Sequence, residues 1–145
     1  MVRSLPGQVR DAALLVARVV LGVVLITHGW QKVVDNGIGG TAAAFTKMGV
    51  PVPPVSATFA AVVELGGGIL LVAGAATAVV GLLVVVDMLG AALFVHLPNG
   101  VFVQGGGWEL VGVIAVAALA LAAGGAGKYS VDHAMSARAK EAVAA

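Results

Sequence analysis

The sequence predicts an all-α fold: an integral membrane four-helix bundle with both termini in the cytoplasm. Three observations carry that expectation. Hydrophobic residues make up 60% of the 145 positions and charged residues only 10%, which leaves too little charge to cover a water-soluble domain of this size. Four apolar runs, about residues 12–31, 56–74, 77–96 and 107–124, approach the roughly 20 residues that a helix needs to cross the hydrocarbon core. Basic residues are also distributed unequally about those runs. An even number of spans puts both ends on one side, with Arg3, Arg10, Lys128, Arg138 and Lys140, while only Lys32 and Lys47 fall on the other. The positive-inside rule makes the richer side cytoplasmic.

The first run contains LLVARVVLGVVLITHGWQK, with Arg18 inside it and His28 and Trp30 near its end. Arg3 and Arg10 precede it as in a secretory signal, but the run is longer than a typical signal core and no A-x-A pattern follows, so it is expected to be a retained span. Pro51, Pro53 and Pro54 exclude one continuous helix through residues 32–55. Within that loop, TAAAFTKMG has helical spacing, with Ala43, Phe45 and Met48 able to lie in the interface. The AGAAT link between the second and third runs is short enough to require an antiparallel hairpin. LPNGVFVQGGG reads as a turn and a flexible connection. The fourth run is near the lower length limit for a span. A tail over 125–145 follows, ending in MSARAKEAVAA, which has helical propensity. The whole chain is one domain by length.

Composition excludes several functions. A net charge of +1 gives no basic field for nucleic acid. The absence of cysteine removes disulfides, iron–sulfur ligation and thioether haem attachment, so no covalently held cofactor of that kind is expected. His28 and His96 lack metal-ligand spacing, and no metal site is expected. There is no Rossmann fingerprint.

Each run carries an ionisable residue: Arg18, Glu64, Asp87 and Glu109. Such a charge costs about 2.5–3.5 kcal/mol at the bilayer centre and is expected to face the bundle interior. At 100° per residue, Arg18 shares a face with Gly22, Gly29 and Lys32. Glu64 lies with Ala57, Ala60, Ala61, Gly67 and Gly68, Asp87 with Val80, Leu83, Ala91 and Phe94, and Glu109 with Gly112, Val116 and Ala120. Small residues let helices approach closely, so these are the expected packed faces. Arg18, Glu64 and Asp87 are expected to meet as a buried polar cluster near the midplane, where one carboxyl group could exchange a proton. A buried ion pair can equally serve only to fix which helices pack together. A second polar and aromatic layer, His28, Trp30, His96, Trp108 and Glu109, is expected at the outer face. Its histidines are either satisfied by water or partner a ligand such as a quinone head, and its tryptophans are interface anchors first.

The run RVVLGVVLITHGWQK at 18–32, VELGGGILLVAG at 63–74, GGGWEL at 105–110 and GAGKYSVD at 125–132 together resemble the DoxX family of small bacterial membrane proteins. Arg18, Gly22, Gly29, Lys32, Glu64, Gly67, Glu109 and Tyr129 match the family pattern by position, and Lys128 stands where arginine is common. The resemblance implies a four-helix, multi-pass protein of the bacterial plasma membrane. It also implies a link to quinone-coupled oxidation and membrane oxidoreductase complexes. Fold does not fix activity, however. Three functions stay open: the membrane subunit or anchor of a quinone-linked oxidoreductase system with a soluble redox enzyme as partner, a small proton-coupled transporter acting as a homo-oligomer, and a non-catalytic interaction or assembly protein. Whether the chain is itself an enzyme is left undecided at this stage.

Overall fold

A computed structural model describes residues 6–144, and every described element is helical. Helix α1 (Gly7–Trp30) continues into a π-helical turn, Gln31–Asp35. Helix α2 (Gly37–Lys47), about three turns long, takes in most of the TAAAFTKMG segment of helical spacing, with Met48 just past its end. Helix α3 (Pro53–Ala73) starts three residues earlier than its apolar run. Pro53 and Pro54 occupy its first turn, where a missing N–H costs nothing. Helix α4 (Thr77–Ala91) passes into a second π-helical turn, Ala92–His96, and a 3₁₀ turn, Leu97–Asn99. After the 3₁₀ turn Val103–Gly105 come α5 (Glu109–Gly124) and α6 (Val131–Ala144).

Two helical stretches, Pro53–Ala73 and Thr77–Asn99, are long and apolar enough to cross a membrane, and Glu109–Gly124 is a shorter apolar helix. The 24 residues of α1 extend for roughly 36 Å. The packing runs from α1 to α3, from α3 to α4 and from α4 to α5, and α5 returns to α1. The core between them is Leu21, Leu25, Val63, Leu71, Val80, Val84, Met88, Val111, Ile114, Ala118 and Leu121. The exterior is equally apolar: Val16, Val20, Val62, Ile69, Val79, Leu82, Val113 and Val116 are all exposed. Such a continuous greasy surface suits lipid rather than water.

Glycine sets the closest crossing. A Cβ on Gly22 would stand 2.7 Å from the carbonyl oxygen of Gly68, and one on Gly29 would collide with the backbone of Leu65. Helices α1 and α3 thus touch backbone to backbone along an antiparallel seam. Gly81 plays the same part between α4 and α5, where a Cβ would stand 2.8 Å from the carbonyl oxygen of Ala118. The α3–α4 hairpin turns through Gly74 (φ 69°) and Ala76 (φ 50°), both left-handed.

The buried faces match the expected ones on α1 and α3 and differ on the other two. On α3 they include Ala57, Ala60, Ala61, Glu64, Gly67 and Gly68. On α4 Asp87 and Val80 are buried with Gly81, Val84 and Met88, while Leu83 and Phe94 are exposed. On α5 the packed face is Val111, Ile114, Ala118 and Leu121, and Val116 points outward. Glu109 therefore does not mark the packed face of its helix. A group in a first turn can reach loop backbone, so its position says little about the helix's interior side.

Candidate functional site

The antiparallel seam decides where each buried charge finds a partner. Passing up α1, Arg18 meets Leu71 and Val72, Gly22 meets Gly68, Gly29 meets Leu65, and Lys32 meets Glu64. The residue opposite Glu64 is therefore Lys32, which lies 14 positions, or roughly 21 Å of helix, beyond Arg18. The expected Arg18–Glu64–Asp87 cluster does not form. Its two acids belong to one site and its arginine to another.

Arg18 is fully buried. Its Nη1 donates to the carbonyl oxygens of Leu71 (3.0 Å) and Val72 (3.1 Å), and its Nη2 to that of Tyr129 (2.5 Å). The first two lie in the last turn of α3, where carbonyls run short of helical N–H partners and the helix dipole is negative. The guanidinium fits there because Gly74 has no side chain; a Cβ at that position would collide with it. All three of these hydrogen bonds go to backbone carbonyls. Next to it, Asp132 serves the opposite helix end. Its carboxylate accepts from the N–H groups of Ala76 (2.7 Å) and Thr77 (2.9 Å) at the start of α4. Its own N–H donates to the carbonyl of Gly74 (3.0 Å). Partial burial pushes its pKa up, but the Thr77 and Ala76 hydrogen bonds and the Arg18 charge outweigh that and hold the carboxyl below its ordinary value. The GAGKYSVD tail is therefore a staple across the hairpin. Tyr129 contributes its backbone carbonyl, and its ring is exposed.

At the other end of the seam, Lys32 Nζ lies 2.6 Å from Glu64 Oε2, with both side chains largely buried. Lys32 reaches inward from the π-turn that ends α1. That turn closes with Asn36 N–H donating to Gln31 C=O at 2.9 Å. The carbonyl of Lys32 accepts from the buried hydroxyl of Thr41 on α2 at 3.1 Å. π-turns are rare and concentrate at functional sites. The second one, Ala92–His96, lies across the same space.

Between them is a cavity of about 580 Å³, within the range of small-molecule sites. Its walls come from every helix but α6, among them Leu25, Phe45, Phe59, Ala60, Met88, Phe94, Val111 and Ile114. Its polar groups are His28, Lys32, Ser56, Glu64, Asp87 and His96. Asp87 is buried, and its Oδ2 has no hydrogen-bond partner among the described residues. His96 Nδ1 lies 2.7 Å from the carbonyl of Gly106 in the loop before α5.

The cavity therefore joins Glu64 and Asp87 with two members of the outer layer, His28 and His96. It omits that layer's other members. Trp30 and Trp108 are exposed and do not line it. Glu109 instead clamps the loop before α5, accepting from Val103 N–H at 2.8 Å. Lys32 is the site residue that sequence reasoning missed, although its place on the Arg18–Gly22–Gly29 face was the available signal.

Comparisons with known proteins agree with this architecture. Over 83 residues the chain is 36% identical to "Putative oxidoreductase CatD" of Bacillus subtilis (strain 168), covering 57% of this chain and 59% of that protein. Over 90 residues it is 32% identical to "Inner membrane protein YphA" of Escherichia coli (strain K12), covering 62% of this chain and 63% of that protein. The matches thus span about three-fifths of these curated relatives. No solved structure matches. The family model for DoxX matches residues 13–97, from the first turns of α1 through the second π-turn. This stretch is more than half of the sequence and holds Arg18, Lys32, Glu64, Asp87 and both cavity histidines, and the protein belongs to the DoxX family of membrane proteins.

Proposed function

We propose that this protein is the membrane-embedded component of a quinone-linked oxidoreductase system, with the head of a lipid-soluble quinone held in the cavity. In this reading four helices, α1, α3, α4 and α5, span the bacterial plasma membrane with both termini cytoplasmic, as the excess of lysine and arginine on that side requires. The observation that carries the proposal is the composition of the cavity. Phe45, Phe59 and Phe94 offer flat apolar surface to a ring, and Lys32, Glu64, Asp87 and the two histidines gather polar groups for its oxygens. Lys32 has N–H groups beyond the one directed at Glu64 and can donate to a ring oxygen.

The chain brings no cysteine of its own and no dinucleotide fingerprint. Electrons must therefore come from a partner that carries a redox group. A soluble enzyme docking at the cytoplasmic face, near α6 and the tail, fits that need. The relative named as an oxidoreductase supports the same assignment.

The test is calorimetric titration of the purified protein in detergent with a short-chain naphthoquinone. Saturable binding at about one equivalent is expected, weakened about tenfold in Lys32→Met, the loss of roughly one hydrogen bond to a charged donor. Absence of saturable binding up to the solubility limit would remove the quinone from the reading. Purification in mild detergent should also retain a redox enzyme; recovery of the chain alone, across several detergents, would remove that partner.

A further inference from the structure

We infer that the cavity takes its ligand chiefly as a hydrogen-bond donor: a lipophilic molecule bearing ring hydroxyl groups, a hydroquinone or phenol, in preference to the carbonyl-bearing quinone. The inference rests on the proposed quinone-type site and adds which redox form that site favours.

The argument is an inventory of donors and acceptors. Asp87 is only 9% exposed, lines the cavity, and leaves Oδ2 with no partner among the described residues. An ionised carboxylate can only accept, and a protonated one keeps an acceptor oxygen beside its single O–H. Glu64 is a second carboxylate, with Oε2 already engaged by Lys32. The partner of His96 Nδ1 is a carbonyl oxygen, which can only accept, so Nδ1 carries the proton. In the neutral ring Nε2 is then an acceptor. His28 makes no side-chain hydrogen bond that would fix its tautomer among the described residues. Ser56 spends its hydroxyl proton on the carbonyl of Pro51 at 2.6 Å. Lys32 is the fixed donor at the site, and Glu64 holds it.

A ligand carbonyl would set lone pair against lone pair at His96, and at Asp87 whenever that carboxyl is ionised. A ring hydroxyl would be satisfied at either position in both forms of the Asp87 carboxyl, and its bond to the ionised form would be charge-assisted. A cationic head would also suit acceptors, but it would sit beside the Lys32 ammonium among mostly apolar walls. The neutral hydroxyl is the better match.

The experiment compares three probes by calorimetry on the full-length protein in detergent. These are an alkyl-hydroquinone kept reduced, the matching quinone, and the hydroquinone dimethyl ether, which has the same ring but cannot donate. The hydroquinone is expected to bind at least tenfold more tightly than either of the others. Asp87→Asn should shrink that preference about tenfold, because the amide is a neutral acceptor and can turn its NH₂ toward a carbonyl. Equal or tighter binding of the quinone would overturn this inference and leave the quinone site standing. So would equal binding of the dimethyl ether. Failure of all three probes to bind would overturn both readings. Binding of a lipophilic ammonium, with none of the hydroquinone, would overturn them in favour of a cation site. The wild-type comparison decides the matter even if the Asn variant does not fold.

Discussion

Removing Lys32 alone should be more damaging than removing Lys32 and the charge of Glu64 together. Lys32→Met keeps an unbranched side chain of similar length but leaves Glu64 buried beside Asp87 with no cation. Breaking a buried pair from one side costs about 3–5 kcal/mol, most of it the stranded charge. Lys32 and Glu64 meet at 2.6 Å with side-chain exposures of 17% and 7%, so solvent screens them little. We expect Lys32→Met to cost about 3 kcal/mol and the Lys32→Met/Glu64→Gln double variant to recover about 2 of that, since a neutral amide needs no counter-charge. The assay is reversible unfolding in mixed detergent micelles, followed by circular dichroism. The same cycle on Arg18→Met and Glu64→Gln is the control. Arg18 bonds to carbonyls seven and eight residues past Glu64, more than about 10 Å along α3. Those two changes should add within about 0.5 kcal/mol. Additivity for Lys32 and coupling for Arg18 would show that the seam runs in another register and would refute the reasoning.

Three further outcomes test the frame. Gly29→Ala drives a methyl into the Leu65 backbone and should cost at least about 2 kcal/mol, whereas Gly66→Ala, with nothing within 4 Å, should be neutral or slightly stabilising; the same unfolding assay reads both. Arg18→Lys retains charge but loses the fork that serves three carbonyls, and should cost about 2 kcal/mol and lower the melting temperature. Asp132 has a folded pKa below its ordinary value, so its contribution is complete at neutral pH and is lost as pH falls below about 4 through that lowered pKa. Asp132→Ala should cost about 1 kcal/mol at pH 7 as a lost helix cap. The gap between wild-type and variant melting temperatures should close in acid; a gap that persists unchanged at pH 3 would refute the capping role.

How much of this was legible in the sequence depended on what kind of signal each residue gave. The apolar runs and the packed faces of α1 and α3 could be read directly, because small residues beside Arg18 and Glu64 repeat at helical spacing. The partner of Arg18 could not. Periodicity fixes which way a residue points but not how far two helices slide past each other, and the slide is set by where Gly22 and Gly29 allow backbones to touch. A guanidinium is also as well satisfied by carbonyls at a helix end as by a carboxylate, and carbonyls leave no mark in the sequence. Glu109 misled for the related reason that a first-turn acid can serve loop backbone. Neither π-turn has a sequence signature, yet one of them carries Lys32 into the cavity and the other carries His96. Asp132 was visible only as part of a tail motif; its task appears once the α3–α4 hairpin is seen to present two free N–H groups beside it.

The separation of the two polar sites is what gives the cavity its chemistry. Had Arg18 joined Glu64 and Asp87 with Lys32 present, two cations would have answered two carboxylates, and every acceptor would have been filled. The antiparallel seam prevents that by spending Arg18 on the end of α3. Three ionisable groups remain around the cavity, one basic and two acidic, and Lys32 pairs with Glu64. Asp87 is left buried, with Oδ2 unpartnered among the described residues. Such a group is costly to maintain, and a fold whose tail already meets the charges at its inner helix ends does not need it for packing. A carboxyl group kept in that condition, at the wall of an apolar cavity, is best explained by what enters the cavity.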